Sequence, residues 1–180
     1  MKVIVCDDYA SQCAAGADMI ERIVREKPDC CLGLATGSSP IGMYQELSRR
    51  CKEEGLDFSK VSTVNLDEYI GLEPTHDQSY RYFMNENFFN HINIRPENTF
   101  VPDGCAKNLD AACKAYDAHI EAVGGIDLQL LGIGLDGHIG FNEPADEFTD
   151  EAFKVKLTDS TIAANSQYFT DIAMPHYAIT

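Results

Sequence analysis

Apolar and polar positions change their period in a regular succession along the chain. Residues 2–7 alternate and predict a short first strand. Met19, Ile20, Ile23 and Val24 recur at helical spacing, which predicts a helix over about residues 10–26, ended by Pro28. Cys31-Leu32-Gly33-Leu34-Ala35-Thr36 reads as a buried strand. Gly37-Ser38-Ser39-Pro40 reads as a turn opening a second helix through Met43, Tyr44, Leu47 and Cys51. Residues 61–66 form another strand, which runs straight into Asp67-Glu68-Tyr69. Tyr80, Met84 and Phe88, spaced by four, mark a third helix. Tyr116 and Ile120, with Ala112 or Cys113, mark a fourth. Residues 128–133 predict a strongly apolar strand ending in Gly132-Ile133-Gly134. Tyr177-Ala178-Ile179-Thr180 has the pattern of a strand just begun, which predicts an uncovered edge or core face.

Strands alternating with helices imply parallel pairing through right-handed crossovers. Continuous apolar strands imply a sheet covered on both faces. The expected architecture is a three-layer α/β/α sandwich with a mostly parallel, Rossmann-like sheet. Residues 1–180 are expected to form a single domain, incomplete at its C-terminus.

Composition narrows the function classes. Of 180 residues, 44% are hydrophobic, ordinary for a globular chain. Asp and Glu outnumber Lys and Arg 29 to 14, giving a net charge of −15, which argues against nucleic acid. An anionic ligand would need focused local donors against that field. No apolar run is long enough to span a bilayer, and the apolar start is too short for a signal peptide. The seven cysteines are odd in number and form no CxxC, so they are expected to be reduced, packed thiols in a cytoplasmic protein.

Ligands of a parallel sheet sit beyond the carboxyl ends of its strands, and three polar loops leave such ends. Thr36-Gly37-Ser38-Ser39-Pro40 offers hydroxyls and free N–H groups at a helix start, with Ser39 as N-cap and Pro40 as first helical residue. That chemistry suits phosphate, although a plain capped turn fits equally well. Asn65-Leu66-Asp67-Glu68-Tyr69 places adjacent carboxylates at a strand end. Strand alternation turns only one of them to the site, where it could take a proton from a carbon beside a carbonyl. Standing alone, the segment reads as a solvated acidic loop. The third loop, Gly132-Ile133-Gly134-Leu135-Asp136-Gly137-His138-Ile139-Gly140-Phe141-Asn142-Glu143-Pro144, is glycine-rich and carries His138 between Asp136 and Glu143, which could orient it. A metal site built from these ligand types is the lesser reading, since no second His is spaced to complete a shell. His76, His91, His119 and His176 have no flanking constellation, and Tyr80 reads as helix core.

Taken together the three loops resemble the signature segments of the glucosamine-6-phosphate deaminase family, with weaker similarity through residues 79–90 and 161–166. The resemblance implies an aldose–ketose isomerisation that converts glucosamine 6-phosphate to fructose 6-phosphate and ammonium in N-acetylglucosamine catabolism. It implies a hydrolase that needs no cofactor and no metal. Asp67 matches the enolisation base and His138 the ring-opening catalyst. Asp136 and Glu143 match its supporting acids, and Thr36, Gly37, Ser38 and Ser39 the phosphate loop. The family commonly has a basic residue soon after the Asn-Ser pair, where this chain has Gln167. The implied partner is a small amino-sugar phosphate, with a homo-oligomer as the expected assembly and no nucleic acid or membrane. Two alternatives stand beside this reading, a 6-phosphogluconolactonase-like hydrolase and a non-catalytic sugar-phosphate sensor.

Overall fold

The computed structural model describes residues 2–134, 137–147 and 149–180. The helix α1 (Tyr9–Glu26) buries Cys13, Ala17, Ile20 and Val24 along one stripe. Asp8 caps it: its carboxylate accepts from Ser11 N at 2.7 Å, and the Ser11 hydroxyl accepts from Asp8 N. The strand β1 (Cys31–Leu34) is buried throughout. It leads to α2 (Ile41–Glu54), whose C-terminus is closed by Gly55 in the left-handed region at φ +67°. Then follow β2 (Ser62–Asn65), the two-residue β3 (Glu68–Tyr69), α3 (Tyr80–Asn87), β4 (Thr99–Phe100), α4 (Leu109–Ala122) and β5 (Leu128–Gln129). The described chain closes with β6 (Lys154–Lys156), α5 (Asp159–Asn165) and β7 (Tyr177–Ile179).

The expected parallel sheet is present, in the order β4-β2-β1-β5, flanked by helices. Leu32 and Leu34 of β1 point into a core shared with α1, α2 and α3, where Tyr44 stacks on Phe88 at 4.8 Å. By alternation Gly33, Val64 and Gln129 face the other side, where α4 lies. There the Tyr116 hydroxyl donates to Asn65 O at 2.8 Å. No described helix is long and apolar enough to cross a membrane.

Four expectations change. Residues 2–7 form no strand, and Val3 and Val5 are 70% and 89% exposed. Alternation alone supplies no pairing partner. The run 128–133 pairs only at Leu128 and Gln129, and Leu131 and Ile133 are exposed. The strand at 177–179 is not at the edge of its sheet. β7 is the centre of a second, antiparallel sheet, β3-β7-β6, with Ala178 opposite both Tyr69 and Val155. Ser39 does not cap α2: Pro40 occupies the cap position, and no side chain bonds there.

Candidate active site

β2 carries the chain out of the parallel sheet at Asn65, and β3 enters the antiparallel sheet at Glu68, so Asp67 sits at the seam between them. A cavity of about 490 Å³ opens there, beyond the carboxyl ends of β1 and β2. Its walls bring together Thr36, Asp67 and His138 from the three loops singled out in the sequence.

Asp67 is 6% exposed, and no donor among the described residues bonds its carboxylate. Burial, and then the charge of neighbouring Glu68, pushes its carboxyl up to about 7. Glu68 points away, as strand alternation requires. It accepts from Tyr69 N, Ser79 Oγ, Tyr80 N and Arg81 N at 2.8–3.0 Å, tying β3 to the start of α3.

The glycine-rich loop folds back on itself. Gly134 N donates to His138 O at 2.9 Å, and the His138 ring lies over Gly134 where a side chain would have to go. Gly140 has φ +61°. A Cβ there would lie 2.9 Å from Thr180 Oγ1 and 3.3 Å from Asp67 Oδ2, so only glycine lets this loop close over the carboxylate. Phe141 N donates to Thr180 Oγ1 at 3.1 Å, which moors the loop to the end of β7. Glu143 accepts from Thr158 N at 3.0 Å and from Thr158 Oγ1 at 3.2 Å. Thr158 is the N-cap of α5, so Glu143 joins the loop to that helix. Asp136 lies outside the described residues.

In the hydroxyl loop Thr36 lines the cavity, whereas Gly37, Ser38 and Ser39 are exposed at its rim. Gly37 takes φ +95°. Tyr9 braces this turn from α1: its hydroxyl donates to Ser39 O and accepts from Gly42 N, both at 2.9 Å. Gln167 is exposed outside the cavity lining, its amide donating to Ala164 O at 2.9 Å.

The structure adds wall residues that the sequence pattern concealed. Tyr80 lines the cavity, interacts with the Thr36 side chain, and stacks on Phe141 with ring centres 5.8 Å apart. Its spacing of four with Met84 and Phe88 is the same signature as core packing. Ser160, Thr161, Ala164 and Asn165 of α5 form the facing wall. The similarity through 161–166 was the one signal for them. Away from the cavity, His76 faces Asp77 and Asp171 at 3.3 and 3.5 Å. Its Nδ1 accepts from Gln78 N at 3.1 Å, and Nε2 is turned towards Asp171.

Comparison with known proteins places this geometry. Residues 7–148 match the family described as glucosamine-6-phosphate isomerases/6-phosphogluconolactonase. The chain belongs to that family. It is 52% identical over 181 residues to a glucosamine-6-phosphate deaminase of Clostridium perfringens, a match spanning 100% of this chain and 75% of that protein. It is 47% identical to glucosamine-6-phosphate deaminase 2 of Bacillus subtilis, across 100% of this chain and 73% of the relative. The solved structure of a monomeric glucosamine-6-phosphate deaminase superposes with a TM-score of 0.96 at 43% identity, covering 100% of this chain and 75% of that one. A 6-phosphogluconolactonase of Thermotoga maritima superposes with a TM-score of 0.74 at 21% identity, across 99% and 75% of the two chains, a likeness of fold alone. These family members are enzymes of small sugar phosphates, so the partner of the cavity is a small molecule. The expectation of a hydrolase is corrected: the relatives near half identity are named for deamination and the family for isomerisation.

Proposed function

We propose that this chain converts glucosamine 6-phosphate to fructose 6-phosphate and ammonium, acting in the cytoplasm. The observation that carries the reading is Asp67, a buried carboxyl that no described residue hydrogen-bonds, that shares a cavity with His138 and has its proton affinity raised to about 7. Such a base suits proton abstraction from carbon near neutral pH.

Only the open-chain aldehyde acidifies the proton on C2, so the pyranose must open first. His138 does this, moving the proton of the C1 hydroxyl to the ring oxygen, with Asp136 and Glu143 supporting it. Asp67 then takes the C2 proton and returns it to C1. As the C2 proton leaves, O1 takes a proton from the C2 ammonium to give the enol-amine, and protonation of C1 by Asp67 then makes C2 an iminium. A water oxygen replaces nitrogen at C2, and ammonium leaves. Besides the proton transfers, the C1–ring-oxygen bond breaks on opening, and the C2–N bond breaks after water has added to C2, so no oxidant or reductant is consumed. Thr36, Gly37, Ser38 and Ser39 are read as receiving the phosphate at the rim, with Gln167 beyond α5 as a neutral donor.

Two observations favour this reading over its rivals. Relatives near half identity are named deaminases, whereas the lactonase likeness falls to 21%. The sensor reading finds no counterpart among the named relatives above, all of which are enzymes.

The test is ammonia release from glucosamine 6-phosphate by this chain and by Asp67→Asn. Release by the parent should fall at least about a hundredfold in the variant, as for loss of a general base. Hydrolysis of 6-phosphogluconolactone without ammonia release would reverse the assignment.

A further inference from the structure

The adjacent carboxyls of Asp67 and Glu68 are in opposite situations. Asp67 lines the cavity and receives no hydrogen bond from a described residue. Glu68 is 3% exposed and receives four. Oε1 accepts from Tyr69 N and Tyr80 N, both at 2.9 Å, and Oε2 from Ser79 Oγ at 2.8 Å and Arg81 N at 3.0 Å. Three of those donors belong to the cap and first turn of α3, the end of a helix that favours an anion. Burial raises the proton affinity of Glu68 while its four donors lower it. At Asp67 no described donor opposes burial. Of the two, Glu68 therefore takes the charge first, and a second charge beside it is disfavoured.

No lysine or arginine among the described residues acts on Asp67. Tyr69 from β3, Tyr80 from α3, Tyr116 from α4 and His138 from the glycine-rich loop face Asp67. Arg81 from α3 and Cys105 lie near Glu68. The guanidinium of Arg81 is turned to Thr99, donating to its Oγ1 and its carbonyl at 2.8 Å each.

We propose that Glu68 is a positioning residue of this site: its carboxylate fixes Tyr80 in the cavity wall and stands as a fixed negative charge beside Asp67. The proposal rests on reading Asp67 as the base. It explains why two carboxylates are needed at this strand end when only one faces the cavity. The inner one keeps the outer one able to accept a proton near working pH.

The experiment is a carbon-13 carboxyl titration by NMR of the 180-residue chain and of Glu68→Gln, with the thermal midpoint measured alongside. In the parent, Glu68 should ionise at lower pH than Asp67. In Glu68→Gln, whose amide oxygen still receives Tyr69 N and Tyr80 N, the Asp67 midpoint should move to lower pH. The acid limb of kcat/KM for ammonia release should move with it. A residue that merely caps α3 would lower the thermal midpoint and leave the Asp67 titration where it was, and that result overturns the proposal. So does a parent in which Glu68 is the later of the two to ionise, an outcome that needs no variant to fold. Absence of ammonia release would count against the deaminase reading alone, because the titration is read without turnover.

Discussion

Asp67 is costly to the fold for the same reason that it suits proton abstraction. An aspartate carboxyl ordinarily titrates near 3.8, whereas in this fold Asp67 does so near 7. Between those values the folded chain holds a proton that the unfolded chain has released. Unfolding therefore releases a proton, and stability falls as pH rises through the window. The neutral carboxyl is fully compatible with the fold below about pH 4, and the penalty is complete once Asp67 ionises above about 7. Three units of displacement correspond to about 4 kcal/mol at most. Asp67→Asn, neutral at every pH, should thus be more stable than the parent at pH 8, with an advantage that shrinks steadily between pH 7 and 4. Urea unfolding at pH 4, 5.5 and 8 measures this directly. An advantage independent of pH would mean that the asparagine packs better and that ionisation costs nothing. In the parent, kcat/KM should rise with pH through about 7, because the base must be deprotonated.

At the scale of elements, the long helices were legible because a stripe such as Cys13, Ala17, Ile20 and Val24 repeats over several turns. β3 and β4 were not, since two residues carry no period and exist as strands only through β7 and β2. The segment 2–7 shows the converse, a strand-like pattern with no strand. The site was legible where chemistry is local, at Thr36, Asp67 and His138, and hidden where a core-like residue turns inward, as Tyr80 does. Tyr9 is another hidden part, because its role joins two elements. From the first turn of α1 its hydroxyl reaches across to α2, and its ring fills the space left by Gly42. Tyr9→Phe keeps the ring and removes both bonds of the hydroxyl, freeing the turn at 37–40. One hydrogen bond is worth about 1 kcal/mol, so the Kd for glucosamine 6-phosphate should rise about fivefold while the thermal midpoint moves little. Isothermal titration on both proteins checks it. Unchanged affinity would mean that the turn keeps its shape without α1.

The described residues form two apolar clusters, and the second of them walls part of the cavity through Phe141. One gathers α1, α2, β1 and Phe88, and the other gathers Tyr69, Leu72, Phe141, Leu157, Met174 and Ala178. Asp67 joins them in the chain, since β2 before it belongs to the parallel sheet and β3 after it to the antiparallel one. The loop bearing His138 rests on the second cluster through Phe141 and on β7 through Thr180. The cavity therefore leans on the second cluster, whereas the first contains no residue of β6 or β7. Ala178 tests this division. It is fully buried at the centre of β7, opposite Tyr69 on one edge and Val155 on the other. Ala178→Asp would bury a carboxyl with no partner, a change worth several kcal/mol. Native-state hydrogen exchange should then show β3, β6 and β7 losing protection while β1 and β2 keep theirs, with binding of glucosamine 6-phosphate abolished. Equal loss of protection in both sheets would mean that the clusters unfold as one unit, and that the seam at Asp67 transmits stability instead of separating it.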